Sequence, residues 1–265
     1  MFENTSVLLK LDYDHDNDLD LLVCNQSVSA DYGNKPNSYL LKNENGNFSL
    51  ADNTFENLGM VTDALVTDFN NDGWKDLLFV GEWMSPRFFE NNEGTFKEIY
   101  PLENDKLNGL WQAVTSFDID GDGDLDIFTS NLLHPHLPSV NSQVNKHPHH
   151  QSPTLYLNEQ QQSFIVSHDI GLNTQLTSWS FAFADYDKDG DIDMLTNHWR
   201  GPGLGGQLPN HLWENTSQAN TLTFQAQDET AGLLDLIGST DFTFTSNFSD
   251  FNNDGWLDLL FTADF

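Results

Sequence analysis

Residues Asp118–Asp126 read D-I-D-G-D-G-D-L-D, with carboxylates at positions 1, 3, 5, 7 and 9 of a nine-residue loop and Gly123 at position 6. Five carboxylates this close repel one another, and neither a core nor a solvated helix calls for them in that register. A hard cation with several oxygen ligands does. The acids at positions 1, 3, 5 and 9 converge on one ion if the chain curls around it, with position 7 giving its backbone carbonyl. Gly123 suits the left-handed turn that such a curl needs. The register recurs at Asp12 (D-Y-D-H-D-N-D-L-D), Asp68 (D-F-N-N-D-G-W-K-D), Asp185 (D-Y-D-K-D-G-D-I-D) and Asp250 (D-F-N-N-D-G-W-L-D), at spacings of 56, 50, 67 and 65 residues. Repeats of that period mark a solenoid, propeller or array.

The side-chain ligands expected in the first loop are Asp12, Asp14, Asp16 and Asp20, and in the second Asp68, Asn70, Asp72 and Asp76. The third offers Asp118, Asp120, Asp122 and Asp126, the fourth Asp185, Asp187, Asp189 and Asp193, and the fifth Asp250, Asn252, Asp254 and Asp258. Backbone carbonyls of Asp18, Trp74, Asp124, Asp191 and Trp256 complete the shells. Calcium fits such flexible all-oxygen loops better than magnesium, which demands near-ideal octahedral geometry and keeps its water. Up to five Ca²⁺ ions are therefore expected, in a structural role. The loops with Asn at position 3 carry one charge fewer there and should bind more weakly.

The chain has 41 acidic and 10 basic residues among 265, a formal charge of -31. Five aspartates in each of the first, third and fourth loops and three in each of the others make 21, about half of all the acids. The charge is thus concentrated in candidate ion sites, not spread along an acidic tail. Nucleic acid is not expected as a partner, nor is an anionic membrane, because neither tolerates an acidic surface without a basic patch. Membrane insertion is not expected either, since no stretch approaches the roughly 18 apolar residues of a span. One cysteine, Cys24, rules out an internal disulfide, and its setting in L-L-V-C reads as core. The opening M-F-E-N-T-S-V-L-L-K lacks the basic and apolar regions of a secretory leader.

Short apolar runs flank every loop, from S-V-L-L-K-L and L-D-L-L-V around the first to F-T-F-T-S-N-F and L-D-L-L-F-T around the last. Runs this short, rich in β-branched and aromatic residues, read as strands, so each Asp loop connects a hairpin. An EF-hand would need flanking helices and Glu at position 12, where Val23, Phe79, Thr129, Thr196 and Phe261 stand instead. A second aromatic hairpin follows at 39–49, 87–97, 155–165 and 212–224, two of them with Asn-Gly or Glu-Gly turns. Four antiparallel strands per repeat is a propeller blade. The expected fold is all-β: a single partial β-propeller over 1–265, with blades at about 5–58, 60–106, 109–172 and 174–234 and an incomplete one at 240–265.

The segments T-D-F-N-N-D-G-W-K-D-L-L-F-V-G-E-W and F-F-E-N-N-E-G-T-F resemble the FG-GAP/VCBS repeat family. Its calcium-loop blades also build the head of integrin α subunits. The likeness to bacterial secreted VCBS proteins, some of which carry an ASPIC/UnbV-type segment, is greater, because no clear FG…GAP pair stands here. The resemblance implies calcium loops along one rim of a six- or seven-bladed ring serving extracellular adhesion or ligand binding. About four and a half blades are present, so the chain reads as a fragment whose partners include the remaining blades or neighbouring domains. Asn17 replaces the usual Gly at position 6 of the first loop, and Asn tolerates positive φ.

Two connections, 131–153 and 197–211, are long and fall at the same place in their blades, between second and third strands. They are expected on one face, as a binding surface. The first gathers His134, His136, His147, His149 and His150, without the ligand spacing of a transition-metal site. Trp83, Trp111, Trp179, Trp199 and Trp213 are candidates for stacking on sugar rings or for core packing, and Trp199 with Arg200 is the pair most open to ligand. No Ser, Cys or Lys nucleophile motif is present. The expected function is a non-catalytic, calcium-binding module for a protein or glycan ligand, located extracellularly, in a periplasm or on a cell surface. The alternatives are a propeller-fold polysaccharide hydrolase or lyase and a structural spacer in a larger secreted protein.

Overall fold

The computed structural model describes residues 2–51, 55–99, 109–132, 153–159, 163–167, 172, 178–198, 210–217, 222–227 and 242–264. Eighteen strands follow one another without a helix among the described residues. The first blade is β1 (Glu3–Leu11), β2 (Asp20–Val28), β3 (Tyr39–Glu44) and β4 (Asn47–Leu50). The second is β5 (Met60–Thr67), β6 (Asp76–Met84), β7 (Arg87–Asn92) and β8 (Thr95–Ile99). The third is β9 (Gly109–Phe117), β10 (Asp126–Asn131), β11 (Thr154–Glu159) and β12 (Ser163–Ser167). The fourth is β13 (Ser178–Ala184), β14 (Asp193–His198), β15 (His211–Asn215) and β16 (Phe224–Ala226), followed by the hairpin β17 (Phe242–Ser249) and β18 (Asp258–Asp264).

Pairing is antiparallel and sequential within each blade. The first strands β1, β5, β9, β13 and β17 each touch the next, so the blades fan around a common inner edge. This is a partial β-propeller. The Asp loops join first to second strands and therefore share one face with the β3–β4 type turns, while the second-to-third connections leave from the opposite face.

The core lies between blades. Along β6, Leu77 and Phe79 pack against Leu11, Leu22 and Leu40 of the first blade. Leu78 and Val80 pack against Trp111, Ile127 and Tyr156 of the third. A strand's side chains alternate between faces, and here both faces are buried, which explains why L-L-F-V is continuous and not alternating. The same split recurs on β10, where Ile127 faces the second blade and Phe128 the fourth. On β14, Met194 faces the third blade and Leu195 the β17–β18 hairpin. Cys24 is fully buried in the first layer, and burial pushes its thiol up to about 12, as its apolar setting led one to expect.

The second and third blades are further joined in one sheet, because the end of β6 pairs with β9 through Glu82↔Leu110 and Met84↔Gly109. The β9 end of this join is crowded and takes a glycine: a Cβ on Gly109 would lie 2.4 Å from the side-chain amide nitrogen of Asn131. A bulge at Trp83, whose φ is +57°, separates the two pairings.

Candidate metal centres

All five Asp loops have one backbone shape. Position 6 is left-handed in each, at φ +71° for Asn17 and +94°, +95°, +100° and +89° for Gly73, Gly123, Gly190 and Gly255. Position 4 is left-handed too, which the glycine pattern alone did not reveal: His15, Asn71, Gly121, Lys188 and Asn253 have φ between +56° and +74°. The double reversal turns successive N–H groups inward. The position 1 carboxylate accepts the N–H of position 6 in every loop, from Asn17 to Asp12, Gly73 to Asp68, Gly123 to Asp118, Gly190 to Asp185 and Gly255 to Asp250, at 2.9–3.2 Å. The position 5 carboxylate accepts the N–H of position 7 at 2.8–3.0 Å.

Three loops bring acids into one cluster. Ligand oxygens of Asp12, Asp14 and Asp20 lie within 4.8 Å of one another, as do those of Asp118, Asp120 and Asp122, and those of Asp185, Asp187 and Asp193. Oδ1 of Asp12, of Asp14 and of Asp185 are each buried without a hydrogen-bond partner. Buried polar atoms are rarely left unsatisfied, and carboxylate oxygens turned toward one another are a donor set suited to a hard cation. In the second and fifth loops, Asn70 and Asn252 instead donate their amides to Asp72 (2.9 Å) and Asp254 (3.1 Å).

In the first, second and fifth loops the position 7 side chain reaches outside its own loop. Asp18 accepts the N–H of Asn45 at 2.7 Å. Trp74 stacks on His15 of the preceding loop, centroids 3.8 Å apart, and Trp256 lies under the Lys188 ammonium at 4.1 Å. In both cases position 4 of one loop touches position 7 of the next.

Position 9 is the anchor. Asp20, Asp76, Asp126 and Asp193 are buried, and each accepts the N–H of position 2 on one oxygen and that of a third-strand asparagine on the other. Burial raises these carboxyls despite the two N–H donors: Asp76 and Asp126 to about 7, Asp193 to about 6, and Asp20 in the same direction.

The asparagines tie the loops of successive blades together, a role that the sequence reading passed over. Asn91 donates its amide to Tyr13 O in the preceding blade's loop at 2.9 Å, Asn158 to Phe69 O at 2.7 Å and Asn215 to Ile119 O at 3.5 Å. Each receiving residue in turn donates its N–H to its own position 9 aspartate. A continuous hydrogen-bond relay therefore runs from Asp20 through four blades to Asp193. The available signal was an Asn within a residue of the end of the third strand of every complete repeat: Asn43, Asn91, Asn158 and Asn215.

Of the tryptophans, Trp111 and Trp213 are core residues whose Nε1–H groups donate to Met84 O and Thr196 Oγ1. Trp179 and Trp83 are half-buried. Trp83 Nε1–H donates to the Tyr32 hydroxyl at 3.2 Å, and that hydroxyl donates to Glu82, which also accepts from Gln26 at 2.8 Å. Trp199, Arg200 and the five loop histidines His134, His136, His147, His149 and His150 lie outside the described residues.

Fold and loops together define a class, a β-propeller built from blades that each open on an Asp-rich loop. Residues 12–79 and 68–129 match the FG-GAP-like repeat, so these stretches are FG-GAP-like repeats. Among curated proteins none matches the chain. Among solved structures it is similar to a lectin from Agrocybe aegerita described as specifically recognising non-reducing terminal N-acetylglucosamine. The TM-score is 0.54 at 17% identity, covering 97% of this chain and 61% of the lectin. The chain thus spans less than two thirds of that protein's length, and the likeness is one of fold.

Proposed function

We propose that this chain is a calcium-stabilised β-propeller module that binds glycan outside the cytoplasm without turning it over. The observation that carries the calcium limb is the set of buried, unpartnered oxygens on Asp12, Asp14 and Asp185, each inside a cluster of converging acids. The ions would be held by the side chains at positions 1, 3, 5 and 9 of the five loops, where they would supply positive charge and nothing reactive. Multi-carboxylate loops of this kind fill readily where calcium is millimolar, which favours an extracellular, periplasmic or cell-surface location. Calorimetric titration with CaCl₂, paired with melting in chelator, tests this limb. Heat of uptake and a higher Tm with calcium are expected, and a Tm indifferent to both ion and chelator overturns it.

Glycan is favoured over protein as the ligand by the lectin-like fold and by the patch at Tyr32, Trp83, Glu82 and Gln26 on the face opposite the Asp loops. Tyr32 is 55% exposed and Trp83 half-buried, so their rings are open to the apolar face of a sugar, with a carboxylate and an amide beside them for its hydroxyls. Trp83 is also held at φ +57°, a conformation costing an L-residue about 1–2 kcal/mol. A glycan array with calcium present, run beside a hydrolysis assay, tests this limb. Binding without hydrolysis is expected, lost in Tyr32→Ala and in Trp83→Gly, the latter being free of the backbone strain. Binding unchanged in both variants would place the ligand elsewhere, and hydrolysis would make the protein an enzyme.

A further inference from the structure

Among the described residues, the first loop alone has a side-chain cation paired with its acids. Lys42 Nζ lies 2.5 Å from Asp14 Oδ2 and 3.2 Å from Asp16 Oδ2, with all three side chains partly shielded from solvent. These are the expected ligands at positions 3 and 5. Lys42 comes from β3, immediately before Asn43, whose N–H is fixed on Asp20 at 2.8 Å. The residues immediately before the corresponding asparagines are Glu90, Leu157 and Glu214, none of them a cation. In the second blade Glu90 Oε1 stands 3.3 Å from the Asn70 amide, so the same β-strand position there puts negative charge beside position 3.

Lys42 does not fill the inner site. It engages the outer oxygen of Asp14, leaving Asp14 Oδ1 and Asp12 Oδ1 buried, unpartnered and, with Asp20, within one cluster. The ammonium therefore neutralises the ligands from outside, on an oxygen other than the buried, unpartnered ones. Its effects on the two states of the loop have opposite sign. Without an ion, it offsets the repulsion among Asp12, Asp14, Asp16, Asp18 and Asp20. With an ion, it competes for the same negative charge and repels the incoming cation.

Resting on the calcium reading above, we infer that Lys42 is an internal counter-charge that holds the first loop in shape without calcium and lowers its calcium affinity. The residue before each third-strand asparagine then sets how strongly its blade depends on the ion. One unit of positive charge beside a divalent ion in a solvent-facing loop changes affinity by about tenfold.

The test is calcium titration against a competing chromophoric chelator, with Tm measured in chelator and in calcium, on the full chain and on Lys42→Met and Glu90→Lys. Lys42→Met should tighten one site about tenfold, lower Tm in chelator and enlarge the rise in Tm that calcium produces. Glu90→Lys, the reverse graft in the second blade, should weaken one site by a similar factor and shrink that rise. Calcium uptake by the parent protein that Lys42→Met leaves unchanged overturns this inference while leaving the calcium reading intact. So does a Tm lowered equally in chelator and calcium, the mark of lost packing alone. No uptake by any of the three proteins overturns the calcium reading and this inference with it.

Discussion

Asp76, Asp126 and Asp193 combine two demands that pull their ionisation in opposite directions. Each sits out of solvent at the start of a second strand, which favours the neutral carboxyl, and each accepts two backbone N–H bonds, which favour the carboxylate. Burial wins, at about 7 for Asp76 and Asp126 and about 6 for Asp193. A folded value above the unfolded one means that the folded protein binds more protons between them. The stability these groups contribute is thus full below the ordinary carboxylate range and is lost as pH rises through about 6 and then about 7. In chelator, Tm should fall between pH 4.5 and 7.5 (roughly the interval between unfolded and folded values), and Asp76→Asn should make that fall shallower. Thermal melts at stepped pH check this; a chelated Tm that climbs over the interval overturns it. With calcium the slope should reverse, because ligands must shed protons to bind. The nine-residue register was plain in the sequence because charge repulsion leaves it no other use. The left-handed position 4 was not, because His15 and Lys188 occupy it in two loops and neither advertises that conformation.

Hairpins are joined to one another by the third-strand asparagines. Asn158 uses its amide nitrogen in this way, donating to Phe69 O of the preceding blade and to Leu125 O of its own loop, while its N–H holds Asp126. Asn158→Ala leaves the buried Phe69 carbonyl short of a partner, and the partly buried Leu125 carbonyl with it, and should cost about 1–3 kcal/mol. Asn43 has the same bonds to its own loop, at Leu19 O and Asp20, and no bond to a preceding blade among the described residues. Asn43→Ala should therefore cost less. Urea unfolding of the two variants checks the ranking, and equal losses would mean that the bond between blades adds nothing. Strand order was legible from turns and apolar runs, yet this tie was not. An asparagine beside a polar turn looks like turn chemistry, and its partner in the neighbouring blade is 89 residues away for Asn158. The join between β6 and β9 was equally hidden, because it depends on a bulge that no local pattern announces.

Across the molecule, stability should grade with the number of buried layers a blade shares. The second and third blades are packed on both faces, on layers that include Phe79, Phe89, Trp111, Tyr156 and Phe128. Among the described residues, the β17–β18 hairpin meets the fourth blade through Phe248, Leu259 and Phe261 against two buried side chains, Leu195 and Leu212. Its other face leaves Leu260 about half exposed, and Leu8, Phe48 and Leu50 are similarly open on the first blade. Local opening follows buried contact density, so amide exchange should be slowest in β6 and β10, faster in β1–β4 and fastest in β17–β18. The fifth loop should reinforce that order. With Asn252 at position 3 and Trp256 at position 7 it carries fewer charges than the fourth loop, and its position 9 acid Asp258 is less buried than the other four. Calcium should then slow exchange most in the well-formed clusters of the third and fourth loops and least in β17–β18. Hydrogen exchange with mass spectrometry, with and without calcium, checks both gradients. Uniform protection along the chain would mean that the blades unfold as one unit, with the inter-blade layers and the asparagine relay coupling the ends as tightly as the centre.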